Sequence, residues 1–172
     1  MLSPKKLYLY RLLTNLMPET SCFGLKRRFL RWAGAEVGQN VRICSSSTIL
    51  GCGELIIGDD TWIGQHCLIM ASSKIEIGKN VDVAPMVYLG TGTHVPQFDK
   101  ERCAGEGLNK DIKIGDGCWL CARTTILPGV TVGNMTIVGA GAVVNKDLPG
   151  GVTAVGVPAK VLNAENENCS FN

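Results

Sequence analysis

The chain has 172 residues, 45% of them hydrophobic and only 6% aromatic, with 21 glycines and a net charge of +2. That length holds one domain and a small appendage. So few rings require a core of Ile, Val, Leu, Ala and Cys, and so many glycines exclude a mainly helical fold in favour of a turn-rich β one.

Residues 1–34 stand apart. They carry Lys5, Lys6, Arg11, Lys26, Arg27, Arg28 and Arg31 against Glu19 alone, a surplus of six, whereas the remainder holds ten basic residues against fourteen acids. The body is therefore no general nucleic-acid binder, and only the N-terminal segment suits an anionic surface. Leu7–Met17 reads as a short helix stopped by Pro18, and Leu25–Trp32 as a second ended by Gly34. The first apolar stretch is interrupted by Arg11, lacks a small-residue cleavage site and is too short to span a bilayer. A cytoplasmic protein with reduced thiols is expected, since the eight cysteines show no secretory context. Two roles stay open for residues 1–34: a cap on the open end of the following domain, and a basic helical contact with an anionic membrane that holds lipid-linked sugars.

From residue 37 a phrase recurs: Val37-Gly38-Gln39-Asn40, Ile57-Gly58-Asp59-Asp60, Ile77-Gly78-Lys79-Asn80, Ile114-Gly115-Asp116-Gly117 and Val132-Gly133-Asn134-Met135. Within it, aliphatic residues fall every six positions, as in Val37, Ile43, Ile49 and in Ile114, Leu120, Ile126, Val132, Val138, Val144. Four residues after each comes a small or β-branched side chain, among them Val41, Ser47, Cys67, Ser73, Thr93, Cys118 and Ala142. A period of six fits neither helix nor hairpin. It describes a short strand and a turn, three per coil, stacked as a triangular prism with the aliphatic residues inside. About five coils span residues 35–162, with two-residue insertions near Leu55–Ile56 and Ile75–Glu76, and residues 163–172 read as a polar tail. Cys118 and Cys121 form a CxxC, but Cys118 occupies a core-filling slot and no second pair accompanies it, so no metal site is expected.

The repeat breaks once. After His94 the chain leaves the register, and residues 95–111 form an irregular excursion. A long loop interrupting a solenoid edge marks a binding site, and a histidine at its root marks the chemistry. The only other histidine is His66.

The repeats, Thr91-Gly92-Thr93-His94, the loop, Trp119 and the ending Gly156-Val157-Pro158-Ala159-Lys160-Val161 resemble the hexapeptide-repeat acyltransferases. The similarity is greatest to the galactoside, maltose and capsule or exopolysaccharide sugar O-acetyltransferases, and it covers residues 37–162. The resemblance implies a left-handed parallel β-helix, an obligate homotrimer with active sites between subunits, and direct transfer from acetyl-CoA to a sugar or lipid-linked sugar hydroxyl with His94 as general base. It places Trp119, Ala122, Gly139 and Ala140 along the pantetheine arm, and Asn145 and Lys160 toward the nucleotide end. Gly64 stands where the family usually has an asparagine. Gln65 and His66 are therefore the candidates for the acceptor pocket, and Glu106 for contacting the acceptor or orienting His94. Amino-sugar N-acetyltransferases and serine acetyltransferases share this machinery and form the alternative. A β-helix carbonic anhydrase needs three histidine ligands per site, more than the chain has.

Overall fold

The computed structural model describes residues 1–162, and the tail expected at 163–172 lies outside the described residues. Three parallel sheets form the faces of a prism, and each coil contributes one strand to each face in turn. The first face stacks Glu36–Val37, Glu54–Ile57, Lys74–Ile77, Ile112–Ile114 and Thr131–Val132. The second stacks Arg42–Ile43, Trp62–Ile63, Asp82–Val83, Trp119–Leu120, Ile137–Val138 and Thr153–Val155, with Lys160–Val161 added antiparallel at its end. The third stacks Thr48–Gly51, Leu68–Ala71, Tyr88–Gly90, Thr125–Ile126 and Val143–Val144. The expected β-helix is thus present, between five and six coils high.

The six-residue spacing works because like residues meet in register. On the second face Ile43 pairs Ile63, then Val83, Leu120, Val138 and Ala154 follow as one ladder, and all six are buried. A fully buried aliphatic side chain stabilises by about 1.5–3 kcal/mol, so these ladders dominate the fold's favourable energy. Leu120→Ala in the middle of this ladder should cost about 2–5 kcal/mol, read as a lowered denaturant midpoint. Close stacking also explains the repeated glycine: a Cβ on Gly58 would lie 2.6 Å from the carbonyl carbon of Gly78 in the next coil.

Two of the expected core slots differ. Ser73 is only half-buried and Thr93 is exposed, whereas Ala71 and Thr91 are buried in their coils. Thr93 lies on the strand Gly92–Pro96, which leaves the prism, and at Ser73 the two-residue insertions are the reason. They lengthen the strands on either side of the corner between the third and first faces, and they turn Leu55, Ala71 and Ile75 inward.

The N-terminal helices are α1, Pro4–Asn15, and α2, Phe23–Trp32. Both start earlier than the apolar pattern alone indicates, α1 because Pro4 suits a first helical turn whose N–H groups have no partner. Gly34, at φ +103°, ends α2: its N–H donates to the Arg31 carbonyl and that of Ala35 to Leu30. The open edge of the first coil is closed by side chains of α2. Arg27 donates to the Val41 carbonyl at 2.9 Å, and Arg31 donates to Val37 at 2.8 Å and Gly38 at 2.9 Å. Lys26 is fully buried, donates to the Pro18 and Glu19 carbonyls, and has its pKa lowered by desolvation. These side chains thus cover the edge of the first coil.

The seven described cysteines are all free. Cys44, Cys67, Cys118 and Cys121 are buried, and burial pushes the Cys44 and Cys67 thiols up to about 11. A thiol held protonated in the core is a poor nucleophile. Brief alkylation of the native protein at neutral pH should therefore label Cys22, Cys52 and Cys103, which are exposed, and spare those four. Peptide mapping before and after denaturation checks this.

Candidate active site

The segment after the third coil is not irregular. Gly92–Pro96 and Ala104–Asn109 pair antiparallel as a hairpin arm, with Gly92 opposite Asn109, Thr93 opposite Leu108 and His94 opposite Gly107. The register shifts between His94 and Pro96, so the tip bends away. Polar pairing had no period-six signature, which is why the pattern alone suggested a loop.

The arm leaves the prism at the corner between the third and first faces, and its root is fixed. Buried Thr91 accepts from the Ser72 and Ser73 amides at 2.8 and 3.0 Å and donates to the Met70 carbonyl at 3.1 Å. The Lys110 amide returns to the Thr91 carbonyl at 2.9 Å, and Asp111 accepts from the Lys74 amide at 2.9 Å. His94 lies three residues beyond Thr91, on an arm whose two ends are thus tied to the core.

Nδ1 of His94 lies 2.9 Å from the Gly105 carbonyl oxygen on the opposite strand. A carbonyl can only accept, so Nδ1 carries the hydrogen and donates it, and in the neutral ring Nε2 is then the nitrogen with the lone pair. The backbone carbonyl of Gly105 is thus a partner that orients the ring. Glu106 does line the cleft that holds His94, together with Gln97, Lys100, Arg102 and Gly105. No sequence pattern singles out Gly105, Lys100 or Arg102, because only the antiparallel arm carries them back beside residue 94 in this cleft.

The other expected site residues fall elsewhere. Gln65 and His66 occupy the turn between Trp62–Ile63 and Leu68–Ala71, at the corner between the second and third faces. His66 adopts φ +55°, and its amide donates to Ser46 Oγ at 3.0 Å. Ala122, Gly139 and Ala140 lie at this same corner in higher coils, where the Gly141 amide donates to the Ala122 carbonyl. Trp119 lies on the outer side of the second face, 43% exposed, between Asp82 and Ile137. Lys160 ends that face, paired with Val155 and exposed. Trp119, Ala122, Gly139, Ala140 and Lys160 therefore form one strip along the second face and its edge. Asn145 follows Val143–Val144 at the corner from which the hairpin springs, away from that strip. In a three-sided prism that corner is opposite the second face. A single chain thus holds His94 and the strip on opposite sides of itself.

Comparison with known proteins bears on what such an arrangement does. Residues 111–146 match the family "Bacterial transferase hexapeptide (six repeats)". An inferred colanic acid biosynthesis acetyltransferase, WcaF of Escherichia coli K12, is 36% identical over 138 residues, covering 80% of this chain and 74% of WcaF. The galactoside O-acetyltransferase of the same organism is 33% identical over 133 residues, covering 77% of this chain and 65% of that enzyme. The crystal structure of a hexapeptide-repeat acetyltransferase of Vibrio cholerae in complex with acetyl-CoA superposes with a TM-score of 0.75 at 26% identity, covering 93% of this chain and 85% of that one. Among the leading relatives the chain spans between 53% and 74% of their length.

Proposed function

The chain belongs to the hexapeptide-repeat acyltransferase family, and we propose that it moves the acetyl group of acetyl-CoA directly onto a hydroxyl of a sugar or sugar-based polysaccharide precursor. The observation that carries the chemistry is the clamped His94 ring, whose Nε2 is left as a base by the Nδ1–H bond to the Gly105 carbonyl. A sugar hydroxyl is a poor nucleophile until its proton is taken. Nε2 accepts that proton as the oxygen attacks the thioester carbonyl. The tetrahedral intermediate collapses, the C–S bond breaks, and the imidazolium returns the proton to the CoA thiolate. Throughout, Gly105 stabilises the imidazolium by accepting from Nδ1. Backbone N–H groups of an adjoining coil suit the oxyanion.

Acetyl-CoA is assigned to the strip of Trp119, Ala122, Gly139, Ala140 and Lys160. Small side chains there leave backbone amides accessible to the amides of a narrow pantetheine arm. Because His94 is on the far side of the prism, donor and base meet only if a neighbouring copy supplies one of them, and a homotrimer does so with three identical sites. The outer surfaces suit this assembly. The first face is charged, with Glu76 bonded to Lys74 at 2.8 Å and to Lys113 at 3.6 Å. The third carries Leu50, Leu68, Met70 and Tyr88 outward.

Acetyl-CoA turnover followed by thiol release, across a panel of mono- and oligosaccharides, amino sugars and serine, tests the function. Acetylation of sugar hydroxyls is expected; transfer only to amines or serine would overturn the acceptor assignment. A second expectation concerns the nucleotide end. Lys160→Glu should raise KM for acetyl-CoA more than it lowers kcat, because the contact is equal in ground and transition states. An analogue without the ribose phosphate should then be used equally well by the variant but less well by the wild type. Equal discrimination by both would show that Lys160 does not meet that phosphate.

A further inference from the structure

The cap does more than close the prism. Its helices bury Leu7, Tyr10, Thr14, Lys26 and Leu30, yet Met1, Tyr8, Leu9, Leu12, Leu16, Leu25 and Trp32 stay exposed. These are seven of the seventeen large exposed hydrophobics among the described residues, concentrated in about a fifth of them. Such clustering marks an interaction surface, whereas scattered single residues do not. Helix α1 has apolar residues on both sides, with Leu7 and Tyr10 facing in and Tyr8, Leu9 and Leu12 facing out, and Leu16 is exposed just past its end. An exposed apolar set interleaved with cations suits a helix lying at an interface. Beside it Leu9, Leu13, Phe29 and Trp32 line a hollow with Arg28 at its edge.

The charges on this surface are of one sign. Lys26, Arg27 and Arg31 are committed to carbonyls within the fold. Lys5, Lys6, Arg11 and Arg28 remain exposed, and Lys6 Nζ lies 5.0 Å above the Trp32 ring. The one acid, Glu19, is occupied: it accepts from the Ser46 hydroxyl at 2.6 Å and the Ser46 amide at 3.2 Å. Four cations around leucines and a tryptophan, with no available carboxylate, match the headgroup zone of an anionic bilayer.

We propose that this outer face of α1 and α2 docks the protein on an anionic lipid surface, with the leucines and Trp32 at the acyl boundary and Lys5, Lys6, Arg11 and Arg28 on lipid phosphates. A second copy of the chain fits poorly, because two such cationic faces repel. The contact is peripheral, since no described helix is long and apolar enough to cross a membrane.

Flotation of the full chain with vesicles tests it. Binding to phosphatidylcholine vesicles containing about one third phosphatidylglycerol should exceed binding to phosphatidylcholine alone by at least about tenfold. It should weaken in about 1 M salt, where screening shortens to about 3 Å. The double variants Leu12→Glu with Leu16→Glu, and Lys5→Glu with Arg11→Glu, should each lower binding about tenfold or more while keeping the wild-type melting temperature, as all four sites are exposed. Trp32→Phe should remove the blue shift in tryptophan fluorescence that anionic vesicles induce. Equal partition of wild type and variants would overturn the proposal. So would a fall in sedimentation mass in the Leu12, Leu16 double variant without any loss of vesicle binding, which would assign the face to a protein contact. Flotation needs no acetyl donor or acceptor, so its result is separate from that of the transfer assay.

Discussion

His94→Ala should lower kcat for acetyl transfer by about 100-fold or more. The residue is exposed on the hairpin arm, so its loss should leave the melting temperature of the prism unchanged. Alanine removes two things at once, the base at Nε2 and the clasp from Nδ1 to Gly105, and His94→Asn separates them. The asparagine amide can still donate across the hairpin toward the Gly105 carbonyl but offers no basic nitrogen. Both variants should be equally inactive, measured as single-turnover transfer at saturating acetyl-CoA. If the asparagine variant turned over near the wild-type rate, His94 would be a clasp for the arm and another group would be the base.

Restoration of activity from two dead parents is the second large effect expected. His94→Ala lacks the base, and Ala140→Trp fills the strip at an exposed turn position without entering the core. Each homotrimer should be inactive. When the two are unfolded together and refolded in equal amounts, sites drawing His94 from one subunit and the strip from its neighbour should regain about a quarter of wild-type activity, given random assortment around a closed ring. Activity that stayed at the parental level after verified mixing would place base and donor groove within one chain, against the separation seen across the prism. Sedimentation equilibrium of the wild type gives the companion result: a mass of three chains is expected, and an active monomer would exclude the composite site.

Much of the fold is legible in the sequence. The six-residue aliphatic period of Ile114, Leu120, Ile126, Val132 and Val138 survives because each side chain meets its like one coil away, so register and composition carry the same information. The shifts at Ser73 and Thr93 show the limit. Two inserted residues at one corner turned Ala71 inward, and the departing arm carried Thr93 out to solvent; a rule that counts sixes cannot sense a strand that runs on past its corner. The arm escapes the pattern for a related reason: most residues of this hairpin are exposed, so they carry no apolar period to detect.

The sequence by itself determined the coil, the helical cap and the break at His94, because each is a local pattern: a period, a proline or glycine stop, and a histidine at the end of a repeat. The tertiary structure alone decided three other matters. It gave the His94 ring its orienting partner, since Gly105 is eleven residues away and reaches Nδ1 only through antiparallel pairing. It committed Lys26, Arg27 and Arg31 to carbonyls inside the fold and left Lys5, Lys6, Arg11 and Arg28 on the surface. And it put His94 and the strip of Trp119, Ala122, Gly139, Ala140 and Lys160 on opposite sides of one prism. Each of these depends on where stacked coils bring distant residues, and that placement is a property of the closed solenoid that no single stretch of residues encodes.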